Sequence, residues 1–341
     1  MLSPPQNALS RGERISHTSA TSDLCDFLCE GSDEETGSVS SGQWPDRPAH
    51  EAQIEVCEEL THAEFNESFR HQKPVLLRGF ASCWPALSRW QDPAHLRSML
   101  PEDMVLVLRA KDNRRFLKRD CTHEKWAWSA VADELFSDEL QSQPPDRVAA
   151  AAASASDGSP AQPETEGARR MYARAPLHGA LRAEVALEGL EALVGGAPGA
   201  HRFREQNCGA WLGSAGCVTP LHYDLCHGFL VGVRGTKRIT YYCPDDYRSL
   251  YARTEQPELS TVDLDAWRQG EATEAGQNER RAHPRFAEAT AWHAELRPGD
   301  VLYTPPYWWH HVETTAEAAA LSVLVPFDPR PEERVHACHF R

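Results

Sequence analysis

The chain has 341 residues and a formal net charge of −15 at pH 7. This length suffices for one large domain with appendages or for two small ones. The negative charge removes any general electrostatic affinity for phosphate backbones, which argues against a nucleic-acid substrate. No stretch of the sequence reaches the ~18 consecutive apolar residues of a membrane span, so we expect no association with a membrane.

The first 50 residues are rich in Ser, Gly, Glu, Asp and Pro and poor in periodic apolar positions. Such a stretch buries too little apolar surface to offset the entropy lost on ordering, so residues 1–50 are predicted to be disordered. The segment lacks the apolar core of a secretory signal, while its Ser-rich start leaves an organellar transit peptide open. We interpret the ten scattered cysteines as reduced thiols, which predicts a cytoplasmic or nuclear protein.

Order is predicted to begin near Ile54, in one domain that extends over residues 51–341. Its first part mixes helices and strands and forms an α+β N-terminal extension. Thr61 is placed to cap a helix, and Glu64 three residues later completes a capping box. Residues 125–136, KWAWSAVADELF, have the pattern of a helix.

Two polar stretches interrupt the domain. Between about residues 141 and 169 the composition becomes low in complexity, which predicts an inserted mobile loop and not a domain boundary. Residues 268–285 are also polar, and we predict a loop inserted between strands there.

From about residue 207 to residue 328 the sequence reads as one short strand after another. Turn signals such as Pro298-Gly299-Asp300 separate these mostly apolar segments. Several short strands broken by Gly and Pro favour an antiparallel sandwich or barrel.

Two imidazoles and a carboxylate suggest a metal site. His222 and Asp224 lie at positions i and i+2, so on a strand both side chains would leave the same face. With His310, expected from a later strand of the opposite sheet, they form the ligand set of a non-haem Fe(II) facial triad. By strand alternation His311 would point away from the ion. An isolated H-x-D pattern is common by chance, and a core histidine beside a turn aspartate would also explain it.

The surrounding sequence is more specific. The segments 219–224 (TPLHYD), 228–238 (GFLVGVRGTKR) and 298–311 (PGDVLYTPPYWWHH) resemble the JmjC branch of the 2-oxoglutarate-dependent oxygenases, and within it the hydroxylase-type, cupin-like members. The resemblance covers roughly residues 54–328. It implies a mainly β fold with flanking helices, built on a double-stranded β-helix core of the jelly-roll or cupin type.

The resemblance also implies site residues and cofactors. The family's metal ligands fall on His222, Asp224 and His310, and they hold Fe(II), to which 2-oxoglutarate and O2 bind. The lysine that binds the far carboxylate of 2-oxoglutarate falls on Lys237. A hydroxyl that contacts the same carboxylate falls on Thr219, and a tyrosine that precedes the barrel falls on Tyr172.

Two positions depart from the family pattern. Gly228 stands where hydroxylase members often have Asn, six residues after the first histidine. Farther along the chain, Leu324 or Val325, depending on one gap, stands where Asn or Ser is frequent. Both replacements remove polar groups from around the C1 end of the co-substrate.

The resemblance implies hydroxylation of a protein side chain, with release of succinate and CO2. Three alternatives stay open: a catalytically inactive metal-binding interaction module, motivated by Gly228; a lysine demethylase; and a tRNA-modifying oxygenase, which the net acidity disfavours. The tail after residue 328 is too short for the helix pair through which some relatives dimerise, so a monomer is expected.

Overall fold

The computed structural model describes residues 51–100, 103–117, 120–141, 169–197 and 199–333. The predicted disorder of the first 50 residues and nearly all of the low-complexity insertion lie outside the described residues. Both therefore stay predictions, as do the monomeric state and the cytoplasmic or nuclear location.

Strands dominate the described part of the chain, and we number them in chain order. They are β1 (Ala52–Gln53), β2 (Glu55–Cys57), β3 (Val75–Leu77), β4 (Met104–Arg109), β5 (Thr122–Ala127), β6 (Tyr172–Pro176), β7 (Gly209–Gly213), β8 (Val218–His222), β9 (His227–Arg234), β10 (Lys237–Tyr242), β11 (Ala291–Leu296), β12 (Val301–Thr304), β13 (Trp309–Thr314) and β14 (Ala320–Phe327).

The strands form two sheets. The smaller sheet has the order β1-β11-β10-β13-β8, and the larger one has the order β2-β3-β12-β9-β14-β7-β6-β4-β5. The last eight strands divide equally between the two sheets, and their pairings are antiparallel. These eight strands form the predicted double-stranded β-helix core, and the first six belong to the N-terminal extension. The prediction of a mainly β, cupin-like fold is confirmed.

Each face of the larger sheet has a different environment. Along β14, Val323 and Val325 are buried in the largest apolar cluster, which also contains Trp90 and other residues of the flanking helices. Because successive side chains of a strand point to opposite faces, Ser322 and Leu324 point the other way, toward the smaller sheet. This second face forms one wall of a cleft between the sheets.

The inner faces of the two sheets meet in a separate apolar cluster. Ile239 and Leu296 from the smaller sheet pack there with Leu76 and Leu302 from the larger one, and Trp308 joins them. Burial of such side chains contributes about 1.5–3 kcal/mol each, so this contact holds the two walls together at one end of the cleft.

Short helices surround the sheets. Among the described residues they are α1 (His62–Glu64), α2 (Ala86–Arg89), α3 (Pro93–Ser98), α4 (Trp128–Gln141), α5 (Gly179–Ala183), α6 (Glu188–Gly195), α7 (Leu264–Gln269) and α8 (Glu274–Ala282). The predicted capping box at Thr61 and Glu64 is confirmed, since each side chain accepts a hydrogen bond from the other residue's backbone N–H. No helix in these described ranges is both long and apolar enough to cross a bilayer.

The helix predicted over residues 125–136 is wrong at its start. Strand β5 continues to Ala127, and helix α4 begins only at Trp128. Lys125 and Trp126 pair with Leu106 and Val105 of β4, so contact with a neighbouring strand overrides the local helical pattern.

The loop predicted over residues 268–285 is largely helical. Helix α8 occupies Glu274–Ala282, and the Thr273 side chain caps it by accepting the Gly276 N–H at 3.1 Å. Of the residues of α8, only Gly276 is buried. The helix therefore lacks the apolar stripe by which sequence patterns reveal helices.

A buried polar network ties the end of the described chain to the core. Arg70 Nε donates to Glu333 at 2.6 Å, and His227 Nε2 lies 3.1 Å from the second oxygen of that carboxylate. His227 Nδ1 lies 2.7 Å from the hydroxyl of Tyr303, which accepts the His71 N–H at 2.9 Å. A neutral His227 satisfies both contacts, because Tyr303 can donate to Nδ1 while Nε2–H donates to Glu333.

The network keeps His227 neutral and Glu333 ionised. Burial lowers the pKa of His227 to about 4 despite the nearby carboxylate. Burial alone would raise the pKa of Glu333, but hydrogen bonds from His227 and Arg70 outweigh it and hold that pKa far below its ordinary value. At neutral pH the network therefore contains a neutral imidazole and one buried ion pair.

Replacing Glu333 tests the contribution of this ion pair to stability. Glu333→Gln leaves the Arg70 guanidinium buried without a counter-charge, and we expect the free energy of unfolding to fall by about 3 kcal/mol. Urea unfolding measures it, with Glu332→Gln at the exposed neighbour as the matched control. Equal stability of the two variants would contradict the assignment.

Acidification tests the neutral state of His227. Its folded pKa of about 4 lies below the ordinary value of ~6.5, so the unfolded chain takes up this proton first. Stability is therefore expected to fall between about pH 6.5 and 4, and His227 contributes a slope of about 1.4 kcal/mol per pH unit. His227→Gln should reduce the total slope by about that amount, whatever its effect on stability at pH 7. An unchanged slope would exclude the assignment.

Candidate metal centre and cleft

The structure brings the three predicted ligands together. The donor atoms of His222, Asp224 and His310 all lie within 4.8 Å of one another. The two imidazole rings have centroids 4.1 Å apart, and His310 Nε2 lies 3.9 Å from Asp224 Oδ2. One ion could contact all three groups after small adjustments.

The two histidines lie on neighbouring strands of one sheet. His222 ends β8 and pairs directly with His310 of β13. The expectation that His310 would come from the opposite sheet is therefore wrong. The chain crosses between the sheets several times after His222, and β13 returns to the smaller sheet between β10 and β8.

Asp224 lies beyond the end of its strand. Strand β8 stops at His222, and the next residue, Tyr223, donates its N–H to Glu258 O at 2.9 Å. The carbonyl of Asp224 accepts the Tyr307 N–H at 2.8 Å. These contacts fix a turn that presents the carboxylate to the histidines, so strand alternation is not the reason that the two ligands share a side.

Backbone carbonyls fix the tautomer of each histidine. His222 Nδ1 lies 2.7 Å from Pro220 O, and His310 Nδ1 lies 2.9 Å from Trp308 O. Because a carbonyl oxygen only accepts, each Nδ1 must carry the proton, and each Nε2 keeps a lone pair for a metal. Burial, reinforced by the charge on a protonated His222, lowers the pKa of His310 to about 4, so its ring is neutral at pH 7.

The residues next to His310 are buried in the protein interior. His311 is buried on the other face of β13, as strand alternation predicts, and burial lowers its pKa to about 3. Trp308 and Trp309 are fully buried, and Trp309 packs edge-on against Tyr223 with ring centroids 4.8 Å apart. This packing supports the turn before Asp224.

A bulge in β8 aligns Thr219 with the metal ligands. His222 pairs with His310, whereas Thr219 pairs with Val312, so between these pairs two residues of β8 oppose one of β13. Residues directly opposite each other in a sheet share a face, and His310 and Val312 share theirs. The extra residue therefore returns Thr219 to the inner face, although an unbroken strand would turn it outward.

Lys237 is a buried cation inside the cleft. Its side chain is 2% exposed, and its Nζ donates to Ser322 Oγ at 2.9 Å and to Tyr172 OH at 3.4 Å. No carboxylate pairs with Lys237 among the described residues, and no direct hydrogen bond joins it to Thr219, which lies on the inner face two strands away. A buried ammonium without an anion is costly, and a negatively charged ligand would offset this cost.

The two positions that depart from the family pattern face each other. Strand pairing turns Leu324 toward the cleft and buries Val325 in the helix-side core, which decides between the two candidates. A Cβ on Gly228 would lie 3.4 Å from Leu324 Cδ1. The adjacent His227 belongs to the buried network with Glu333 and leaves this wall of the cleft apolar.

Sequence reasoning missed two polar residues of the cleft. Ser322 contacts Lys237, and Arg174 lies on the inner face of β6 two residues after Tyr172. A single polar residue in the apolar run ALSVLVPF was a signal for Ser322. The i+2 relation to Tyr172 was a signal for Arg174.

Curated proteins similar to this chain match about a third of it. Jumonji C domain-containing protein 5 of Drosophila melanogaster is 37% identical over 113 residues, which are 33% of this chain and 26% of that protein. Lysine-specific demethylase 8 of Xenopus tropicalis is 34% identical over 35% of this chain and 24% of its own length. tRNA wybutosine-synthesizing protein 5 of Gallus gallus is 32% identical over 33% and 31%. The chain thus matches a third or less of the length of these relatives.

Among solved structures, a ribosomal oxygenase of Escherichia coli, YcfD, aligns over 83% of this chain and 54% of its own, at 15% identity and a TM-score of 0.41. At this TM-score the likeness adds nothing to the assignment. The family is instead shown by residues 61–332, which match the model of the cupin-like domain over well more than half of the chain. The chain belongs to the cupin-like domain family.

Proposed function

We propose that this protein is an Fe(II)- and 2-oxoglutarate-dependent oxygenase that hydroxylates a protein side chain. The observation that carries the proposal is the combination of three convergent metal ligands with a buried ammonium that has no acidic partner in the described chain. The ligands alone would suit a binding protein. The cation adds a place for a carboxylate in the same cleft.

The ligand set fits ferrous iron. Two neutral imidazoles and one carboxylate are the ligands of the facial triad, which leaves positions open for a co-substrate and O2. When bound, the iron would supply the oxidation of a C–H bond, coupled to conversion of 2-oxoglutarate to succinate and CO2. His222, Asp224 and His310 would hold the ion, and the carbonyls of Pro220 and Trp308 would keep both imidazoles oriented.

The remaining groups would position the co-substrate. Lys237 would bind its far carboxylate, since a compact ammonium in a water-poor site attracts a carboxylate strongly. Tyr172 would donate its hydroxyl to the same carboxylate, and Ser322 keeps the ammonium in place at 2.9 Å. Thr219 shares the inner face and would contribute its hydroxyl from the opposite side.

The alternatives are less well supported. An interaction module that only binds metal has no need for the buried, unpaired Lys237, whose burial lowers stability. The names of two similar proteins refer to lysine demethylation and to the synthesis of wybutosine in tRNA, and substrate tests would distinguish both reactions from side-chain hydroxylation. The net charge of −15 disfavours a tRNA substrate.

Lys237→Met separates a functional lysine from a structural one. The substitution removes an unpaired buried charge and keeps most of the side-chain volume, so the free energy of unfolding should not fall. Affinity for 2-oxoglutarate, measured by calorimetry with Mn(II) in place of iron, should fall by about 2 kcal/mol or more. Arg238→Met is the matched control, since Arg238 is the exposed neighbour on the outer face of β10.

Retained affinity for 2-oxoglutarate in Lys237→Met would exclude this residue as its anchor. A large loss of stability without a change in affinity would instead indicate a structural role.

Succinate release tests the reaction itself. With Fe(II), ascorbate and 2-oxoglutarate, the full chain should release succinate even without a protein substrate, through uncoupled turnover. His222→Ala should abolish this release, because two of the three ligands cannot hold the ion in place. Equal succinate release by the native protein and by His222→Ala would contradict the oxygenase proposal. Binding of 2-oxoglutarate without succinate release would favour the interaction module.

A further inference from the structure

Arg174 is a second cation in the cleft. It follows Tyr172 by two residues on β6, so both side chains leave the inner face of the larger sheet. Trp211 of β7 lies directly opposite Arg174 and stacks on Tyr172, with ring centroids 5.3 Å apart. The Arg174 Cζ lies 5.9 Å from the centre of the same indole. The arginine thus belongs to the wall that carries Tyr172.

The guanidinium lies across β7 and toward β14. A Cβ on Gly209 would lie 3.1 Å from Arg174 Nε and 3.4 Å from its Nη2. Gly209 pairs with Leu324, whose side chain points into the cleft. The absence of a side chain at position 209 therefore leaves room for the guanidinium at the start of β7, where its Nη2 also donates to Asn207 O at 3.4 Å.

Along the strands of the larger sheet, the position of the Arg174 guanidinium lies between those of Lys237 and the metal ligands. Along β14, Ser322 contacts Lys237, and Leu324 is the next inward-facing residue, about 7 Å farther along the strand. The opposite end of this wall is marked by Thr304, whose hydroxyl lies 2.7 Å from that of Tyr241. Tyr241 pairs with His310, and their ring centroids are 5.9 Å apart.

Arg174 has no anionic partner in the described part of the chain. Its Nε is buried without a hydrogen bond, and its Nη2 donates only a long bond of 3.4 Å to Asn207 O. No carboxylate of the described residues forms an ion pair with it, and burial lowers its pKa. A guanidinium offers five donors, so most of its binding capacity is unused within the described chain.

The charges of the loaded cleft leave a place for one more anion. Ferrous iron, Lys237 and Arg174 together would carry four positive charges. Asp224 and a bound 2-oxoglutarate dianion would supply three negative charges. One carboxylate of that dianion would neutralise Lys237 and the other would bind the ion, so the uncompensated positive charge would be that of Arg174.

We propose that Arg174 binds a carboxylate of the substrate, from an Asp or Glu side chain close to the residue that is oxidised. A carboxylate matches the planar fork of a guanidinium and can accept two parallel hydrogen bonds from it. The inference rests on the proposed function, since it counts the ion and 2-oxoglutarate as occupants. An RNA phosphate would also match the fork, but the net charge of −15 repels a polyanionic strand more strongly than a peptide that carries a single carboxylate.

Peptide pools of defined composition test this specificity. The full chain, loaded with Mn(II) and 2-oxoglutarate, is titrated with blocked hexapeptide pools that differ only in one fixed residue, Asp, Glu, Asn or Gln. We expect the acidic pools to bind about tenfold or more tightly than the matched amide pools, as charge-assisted hydrogen bonds require. Mn(II) prevents turnover, so binding is measured without loss of peptide.

Three variants show whether Arg174 causes the preference. Arg174→Gln should bind acidic and amide pools equally. Gly209→Ala keeps the charge but places a methyl group 3.1 Å from Nε, so it should reduce the preference by displacing the guanidinium. Arg238→Gln removes an exposed arginine from the outer face of β10 and should leave the preference intact. Thermal melting of each variant verifies that it is folded.

The affinity for 2-oxoglutarate distinguishes the possible failures. Arg174→Gln should change this affinity by no more than about twofold, because Lys237 and the ion would hold the co-substrate. A loss beyond tenfold would assign Arg174 to the co-substrate and overturn the proposal. The proposal would also be overturned if the native protein showed no preference for the acidic pools, or if Arg174→Gln kept that preference. Binding of RNA oligonucleotides that requires Arg174 would overturn it as well. A native protein that binds no 2-oxoglutarate would instead overturn the proposed function.

Discussion

The pairing of β8 with β13 is the contact on which the cleft depends. It sets His222 directly opposite His310, and its bulge turns Thr219 to the same face. The other edge of β8 is also held, because Phe116 donates its N–H to Val218 O at 2.7 Å and Ser260 donates its N–H to Leu221 O at 3.0 Å. A shift of the register by one residue would move every inner side chain of β8 to the outer face. Contacts on both edges of β8 therefore fix the alignment on which the site depends.

Much of the site could be predicted from the sequence, whereas its geometry could not. His222, Asp224 and His310 are recognisable by residue type and context, and the eight core strands by apolar runs between turns. The sheet to which β13 belongs, and the bulge that aligns Thr219, follow from pairing between distant segments, which local patterns do not encode. Helix α8 escaped prediction for the opposite reason, since it packs too little apolar surface to leave a pattern.

Two different environments hold the cations Arg70, Lys237 and Arg174. Arg70 is paired with Glu333 inside a network that includes His227, and that network joins the end of the described chain to the core. Lys237 and Arg174 are oriented by hydroxyl, aromatic and carbonyl groups that supply no negative charge. The first arrangement stabilises the fold without any ligand. The second lowers stability until an anion arrives, which is the condition of a preorganised binding site.

Gly228 and Leu324 restrict the routes by which this cleft can change. An alanine at position 228 would just touch Leu324 Cδ1, at 3.4 Å, and any longer side chain must displace it. The two positions are therefore sterically coupled. An amide side chain at position 228 requires a smaller residue at position 324, and the single substitution at position 228 would crowd the cleft.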